Sequence, residues 1–236
     1  AWGGKYEASK DNKITQTLYK LGAFPNVQYQ KVDFILEGGS IESDGLGTLL
    51  TTERCLLNTS RNQSFNKLDI EEKLKNILGI ERVLWLKSGF LVGDDTDAHI
   101  DTLARFCDPH TICYVSCTNP SDEHYDELKT MESELKTFIS YDNKPYNLIP
   151  LPMPTAIYEL DEQGNKTRLP ATYANFLITN NAILLPTYQA PEDKQAIEQI
   201  QSCFPTKKII PVDCRALIKE HGSLHCITMQ LTEGIV

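Results

Sequence analysis

Phe176-Leu177-Ile178-Thr179-Asn180-Asn181-Ala182-Ile183-Leu184-Leu185 sets two short apolar runs on either side of an Asn-Asn pair. Apolar runs of this length, broken by residues that tolerate a tight turn, predict paired strands over Phe176–Thr179 and Ala182–Leu185. Downstream, apolar residues recur at helical spacing from about Glu192 to Cys203, and Lys208–Val212 reads as a further strand. The unit is strand, strand, helix, strand.

The same order recurs twice toward the N-terminus. Val32–Leu36 and Thr48–Leu50 flank the turn signal Asp44-Gly45, a helical pattern follows at Leu68, Leu74, Ile77 and Leu78, and Arg82–Leu86 closes the unit. His99–Phe106, Ile112–Cys117, a helix from after Ser121 to about Phe138, and Tyr146–Leu151 make the other. Helix starts near residues 67, 121 and 191 argue for a structural repeat; the competing reading is a mixed α/β domain whose elements merely alternate. Ahead of the first unit stands a helix from Asp11 to Leu21, stopped by Gly22, with Ile14, Leu18 and Leu21 on one face. It reads as the tail of a unit whose first strands are missing.

The 236 residues suffice for a sizeable core, and 41% apolar with 23% charged residues is the balance of a globular protein rather than a disordered or fibrous one. No apolar run approaches bilayer-spanning length, so no membrane role is expected. A net charge of −9 without a basic stripe argues against nucleic acid and for a small cationic ligand. The seven cysteines are odd in number and scattered, which predicts a reducing, cytoplasmic setting rather than a disulfide framework. Self-association into a homo-oligomer stays open.

Three segments carry chemistry: Leu36-Glu37-Gly38-Gly39-Ser40, Gly93-Asp94-Asp95-Thr96-Asp97-Ala98-His99-Ile100-Asp101 and His225-Cys226-Ile227-Thr228. In this order they resemble the signature segments of agmatine deiminases, within the bacterial-type peptidylarginine deiminase family. The likeness runs from Ala1-Trp2-Gly3-Gly4-Lys5-Tyr6 almost to the C-terminus. The resemblance implies a pentein-type α/β propeller of ββαβ modules with fivefold pseudo-symmetry, and a single deiminase catalytic domain over residues 1–236. It implies no metal or organic cofactor. The family's upstream Arg-Asp segment has no match here, so the N-terminal module or modules are expected to be missing from this chain.

A guanidinium resists attack until carboxylates hold its charge and a strong nucleophile faces its central carbon. Cys226 is the candidate nucleophile, with ionisation favoured by a cationic substrate, a nearby imidazolium and backbone amides. His99 is the candidate acid that protonates departing ammonia and the base that then activates water. Glu37 and Asp101 are candidates for holding the guanidinium nitrogens by charge-assisted hydrogen bonds. By resemblance, Glu37 also polarises His99, and Trp2 and Thr96 line the substrate channel. The predicted reaction is agmatine and water to N-carbamoylputrescine and ammonia, with arginine or peptidyl arginine as the alternative substrate.

Each residue also has a plainer role open to it. Cys226 could be a packing residue, Glu37 a strand end before a Gly-Gly turn, and His99 with Asp101 a surface pair on one strand face. His225 is read as structural, because consecutive strand residues face opposite sides. Cys107, His110, Cys113 and Cys117 form a soft-ligand cluster that would suit zinc, although Cys113, Val115 and Cys117 also fit one buried strand face. A non-catalytic α/β binding module is the remaining alternative. Against the family pattern, Ala98 stands where Gly is usual, Glu42 where His is usual, and His221-Gly222-Ser223-Leu224 replaces a run richer in Gly and Asn. Acids around the segments (Glu42, Asp44, Asp94, Asp95 and Asp97) predict a pocket mouth that favours agmatine over arginine.

Overall fold

The computed structural model describes residues 2–160, 164–231 and 235; Ala1, with which the resemblance begins, lies outside them. A 3₁₀ turn at Asp11–Lys13 leads into α1 (Ile14–Lys20). The first sheet then joins β1 (Ile41–Ser43) and β2 (Thr48–Thr52); α2 (Glu53–Leu56) and α3 (Lys67–Leu78) precede β3 (Arg82–Leu86). β4 (Ala104–Asp108), β5 (Thr111–Ser116), α4 (Tyr125–Leu135) and β6 (Asn147–Pro152) follow. A small hairpin, β7 (Tyr158–Leu160) with β8 (Lys166–Arg168), separates these from β9 (Leu177–Ile178), β10 (Ala182–Thr187), α5 (Asp193–Cys203) and β11 (Lys208–Asp213).

The three larger sheets have one design: an antiparallel hairpin, a crossover through a helix, and a last strand parallel to the second. In each, the middle strand (β2, β5 or β10) is paired on both sides, and β2 and β5 are buried along their whole length. β5 and β10 are largely apolar on both faces and so read as short runs, whereas β2 buries Thr48, Thr51 and Thr52 beside Leu49 and Leu50. The helices present one stripe to the core. α4 buries Leu128, Met131 and Leu135, spaced three and four apart, each burial contributing about 1.5–3 kcal/mol. α3 starts at a reciprocal cap: Asn66 accepts from the Leu68 and Asp69 amides while Asp69 accepts from the Asn66 amide. Among the described residues no helix is long and apolar enough to cross a membrane.

The first unit departs from expectation. Val32–Leu36 is not a strand; Ile41–Ser43 pairs with β2 instead. Ile35 meets its backbone needs through the Asn62 side chain, which accepts from its amide at 2.9 Å and donates to its carbonyl at 2.8 Å. Phe34 and Leu36 still pack against the core around Leu49, Ile70 and Trp85. The run is apolar because it is packed, not because it is paired. His99–Phe106 likewise is only half a strand: Ile100–Thr102 is a 3₁₀ turn, and β4 begins at Ala104. Finally, Ile14, Leu18 and Leu21 do share a face, but all three are exposed.

Candidate functional site

Asp97 and Ala98 both adopt left-handed φ, 65° and 63°, a region that costs a non-glycine residue roughly 1–2 kcal/mol. Glycine would adopt the backbone at Ala98 without that cost. Polar groups hold the turn: Asp94 accepts from the Ala98 amide (2.9 Å) and the Thr96 hydroxyl (2.5 Å), and Thr52 donates to the Ala98 carbonyl (2.8 Å). Thr96 is buried, and its hydroxyl also accepts from the His99 amide at 3.3 Å. The turn delivers His99 and Asp101 inward from successive bends rather than from one strand face.

His99 is buried, and its Nε2 donates to Glu37 Oε2 at 2.7 Å. Burial opposes charging the imidazole, but contacts with Cys55 and Glu37, together with Asp101, raise it to about 10. Glu37 is pushed up by burial and pulled down further by His99 and Arg61, to about 2. At neutral pH the pair is therefore imidazolium and carboxylate. The same Oε2 accepts from Arg61 Nε (3.0 Å) and Nη2 (2.8 Å), while Oε1 accepts from the Gly3 amide (3.3 Å). Gly39 sits beneath this pair, where a Cβ would lie 2.7 Å from His99 Nδ1 and 2.8 Å from Asp101 Oδ2. Only glycine fits.

Asp101 is fully buried. Its Oδ2 accepts from His225 Nδ1 (2.8 Å) and Asn175 Nδ2 (3.0 Å), and Cys226 Sγ lies 3.9 Å away. Its Oδ1 has no hydrogen-bond partner. Burial works against the charge of Asp101, yet His225, His99 and Arg105 hold its carboxyl below the usual range. Asn175, also buried, accepts from the amides of His225 (2.8 Å) and Cys226 (3.3 Å), so one side chain ties the Cys226 turn to Asp101. The Cys226 residue is exposed, but its sulfur is turned toward Asp101 and Asn175. Burial of the sulfur and the negative charge of Asp101 push the thiol up to about 12.

Glu37, His99, Asp101 and Cys226 thus converge in one network. Trp2 stands in a 3₁₀ turn next to Gly3, its ring edge-on to Tyr6 at 6.2 Å. His225 corrects the sequence reading: His225–Ile227 is a 3₁₀ turn, whose residues are not two-sided as in a strand, so His225 and Cys226 both reach Asp101. Arg61, Asn175 and Cys55 were missed; each is distant in sequence from the three motifs or lacks a spacing signal. The acids also divide differently from expectation. Glu42 is buried against Arg105 at 2.6 Å, and Asp44 is buried in the β1–β2 turn, so neither lines a mouth. Asp97 is paired with Lys5 and Arg61, both at 2.7 Å.

The proposed zinc cluster does not assemble. Cys113 Sγ faces the Arg105 carbonyl, Cys117 Sγ the Asn119 carbonyl, and His110 is an exposed partner of Asp142 at 3.4 Å. Among the described residues, metal-competent atoms come together only at Glu37, Cys55 and His99, within 4.8 Å of one another. Those atoms suit a cation poorly, since Glu37 Oε2 already accepts three donors and the Arg61 guanidinium brings positive charge against it.

Residues 1–231 match the family model described as Porphyromonas-type peptidyl-arginine deiminase. A provisionally named agmatine deiminase of Marinomonas sp. (strain MWYL1) is 36% identical over 250 residues, covering 99% of this chain and 67% of its own length. Among solved structures, a provisionally named arginine deiminase from Porphyromonas gingivalis is 49% identical with a TM-score of 0.92, covering 100% of this chain and 69% of its own. A C. jejuni agmatine deiminase with substrate bound is 43% identical with a TM-score of 0.88, covering 96% and 64%. This chain spans about two thirds of the length of each relative.

Proposed function

Because the chain belongs to the Porphyromonas-type peptidyl-arginine deiminase family, hydrolases of amidine C–N bonds, we propose that it deiminates a small guanidino compound, agmatine by preference. One observation carries this reading. Asp101 lies against the Cys226 sulfur through Oδ2, at 3.9 Å, while its other buried carboxylate oxygen, Oδ1, has no partner. A buried acceptor left unpaired is costly, and a planar cation with N–H donors satisfies it while bringing its central carbon to the thiol.

The steps follow from the protonation states. The incoming guanidinium offsets the negative charge of Asp101 and favours loss of the Cys226 proton to solvent, since His99 already carries its own. The thiolate adds to the guanidinium carbon, and the His99 imidazolium gives its proton to the departing nitrogen, which leaves as ammonia. A thiouronium remains on Cys226. Neutral His99 then takes a proton from water as that water attacks the same carbon; the C–S bond breaks with the thiolate leaving, and the added hydroxyl gives its proton to solvent to form the ureido carbonyl. Glu37 holds the imidazole through both steps.

The preference for agmatine rests on its named relatives and on charge. Lys5 and Arg61, the cations beside this turn, are spent on Asp97, while Asp94 lies close enough to Cys226 to raise its thiol. An α-carboxylate finds no free basic partner among these groups. The finer fold reading, a pentein-type propeller with residues 1–236 as one deiminase domain, is supported by the three like ββαβ sheets. Ammonia release from agmatine and from arginine, compared at equal concentration and low salt, tests the assignment. A higher kcat/KM for agmatine is expected; equal values would leave the reaction class and remove the substrate.

A further inference from the structure

Arg61 is a guanidinium inside a protein read as a guanidinium hydrolase, and its side chain is 1% exposed. It makes four hydrogen bonds that no packing argument requires: two to Glu37 Oε2, one from Nη1 to Asp97 Oδ2 at 2.7 Å, and one from Nη2 to the Thr96 carbonyl at 2.9 Å. Glu37 ends an irregular segment, and Asp97 belongs to the strained turn before His99. Neither segment is fixed by a ladder to the other. The neighbouring residue, Asn62, holds the first of them at Ile35.

We propose that Arg61 is the positioning residue of the site, a planar fork that pins the Glu37 carboxylate and the Asp97–Ala98 turn together so that Glu37 meets His99 in its ionised form. The proposal deepens the deiminase reading, since it takes His99 as the group that moves protons. The fork geometry matters: guanidinium can satisfy Oε2 twice while its remaining nitrogen reaches Asp97 in the same plane, and an ammonium cannot. Charge matters too. The groups facing the pair are Arg61 from the loop after α2, Cys55 from α2, Asp97 and Asp101 from the turn, and Lys5 behind Asp97. Of these, Arg61 is the cation in direct contact with Glu37.

The test uses the full chain as wild type, Arg61→Gln and Arg61→Lys, with the His99 ring signal assigned by its loss in His99→Asn. In the wild type that signal should show no inflection between about pH 4 and about pH 8, because both members of the pair titrate outside that range. In Arg61→Gln, Glu37 loses a cation while burial still opposes its charge, so its protonation should enter the window and appear as an inflection of the His99 signal. The acid limb of kcat/KM should rise by more than about two pH units, into that window. Arg61→Lys should fall between the two. A folded Gln variant whose His99 titration and acid limb superimpose on the wild type overturns the proposal, as does a uniform loss of activity with no change in either profile. Should Gln prevent folding, a Lys variant indistinguishable from wild type in titration and kinetics overturns it equally. If the wild type releases no ammonia from agmatine or arginine, the functional reading fails, while the ring titration still decides the role of Arg61.

Discussion

Cys226 and Gly39 show how narrowly single residues are constrained. Cys226→Ser is expected to abolish ammonia release, because a hydroxyl in place of a thiol already held near 12 is still harder to ionise. Its melting temperature should stay within a few degrees of wild type, since a hydroxyl is close in size to the thiol and can keep its contact with Asn175. More than a few per cent of residual turnover would contradict covalent catalysis. Gly39→Ala is expected to be more damaging to structure than its size suggests. Its methyl must displace His99 or the Asp101 carboxylate, at a cost of about 1–3 kcal/mol. Kinetics and a thermal melt should both register the change; a variant with wild-type kcat/KM would show that the site yields. Sequence made the Glu37, His99, Asp101 and Cys226 motifs legible, because each sits in a short run of unusual composition. Asn175 and Arg61 were not, since a buried amide or guanidinium declares itself only by what it touches.

At the scale of elements, legibility followed pairing. The units containing β5 and β10 were readable because fully paired central strands and single-striped helices leave opposite periodicities in the sequence. The first unit misled where Asn62 substituted for a strand partner at Ile35, an arrangement that leaves no local trace. α1 was readable as a helix with one apolar stripe, and that stripe, Ile14, Leu18 and Leu21, lies exposed. The cap of α3 offers a clean test of element stability. Asn66→Ala removes the acceptor for two amides and should lower stability by about 1 kcal/mol, or roughly 2–4 °C in melting temperature. Because the cap is surface-exposed, kcat should not move. An unchanged melt would mean that water replaces the cap without penalty.

For the molecule as a whole, the Glu37–His99 pair links stability to pH. His99 is raised from 6.5 to about 10, so its stabilisation is complete below about pH 6.5 and is lost as pH climbs through about 10. Glu37 is lowered from 4.5 to about 2, so its share is complete above about pH 4.5 and is lost as pH falls through about 2. The plateau should therefore lie between those inner values. Thermal melts of wild type and Glu37→Gln across pH should differ most on that plateau and converge at both extremes. A constant difference at every pH would show that the pair contributes packing rather than charge.

A surface cysteine whose sulfur is turned inward and keeps its proton also bears on survival among oxidants. Peroxide and alkylating agents attack the thiolate, and a thiol that ionises near 12 presents only about one part in 10⁵ of it at neutral pH. Without its substrate the protein should therefore react slowly at the one exposed cysteine among the described residues. Iodoacetamide should label Cys226 slowly at pH 7 and ever faster as the solution becomes alkaline; rapid labelling at neutrality would show that the resting sulfur is already charged.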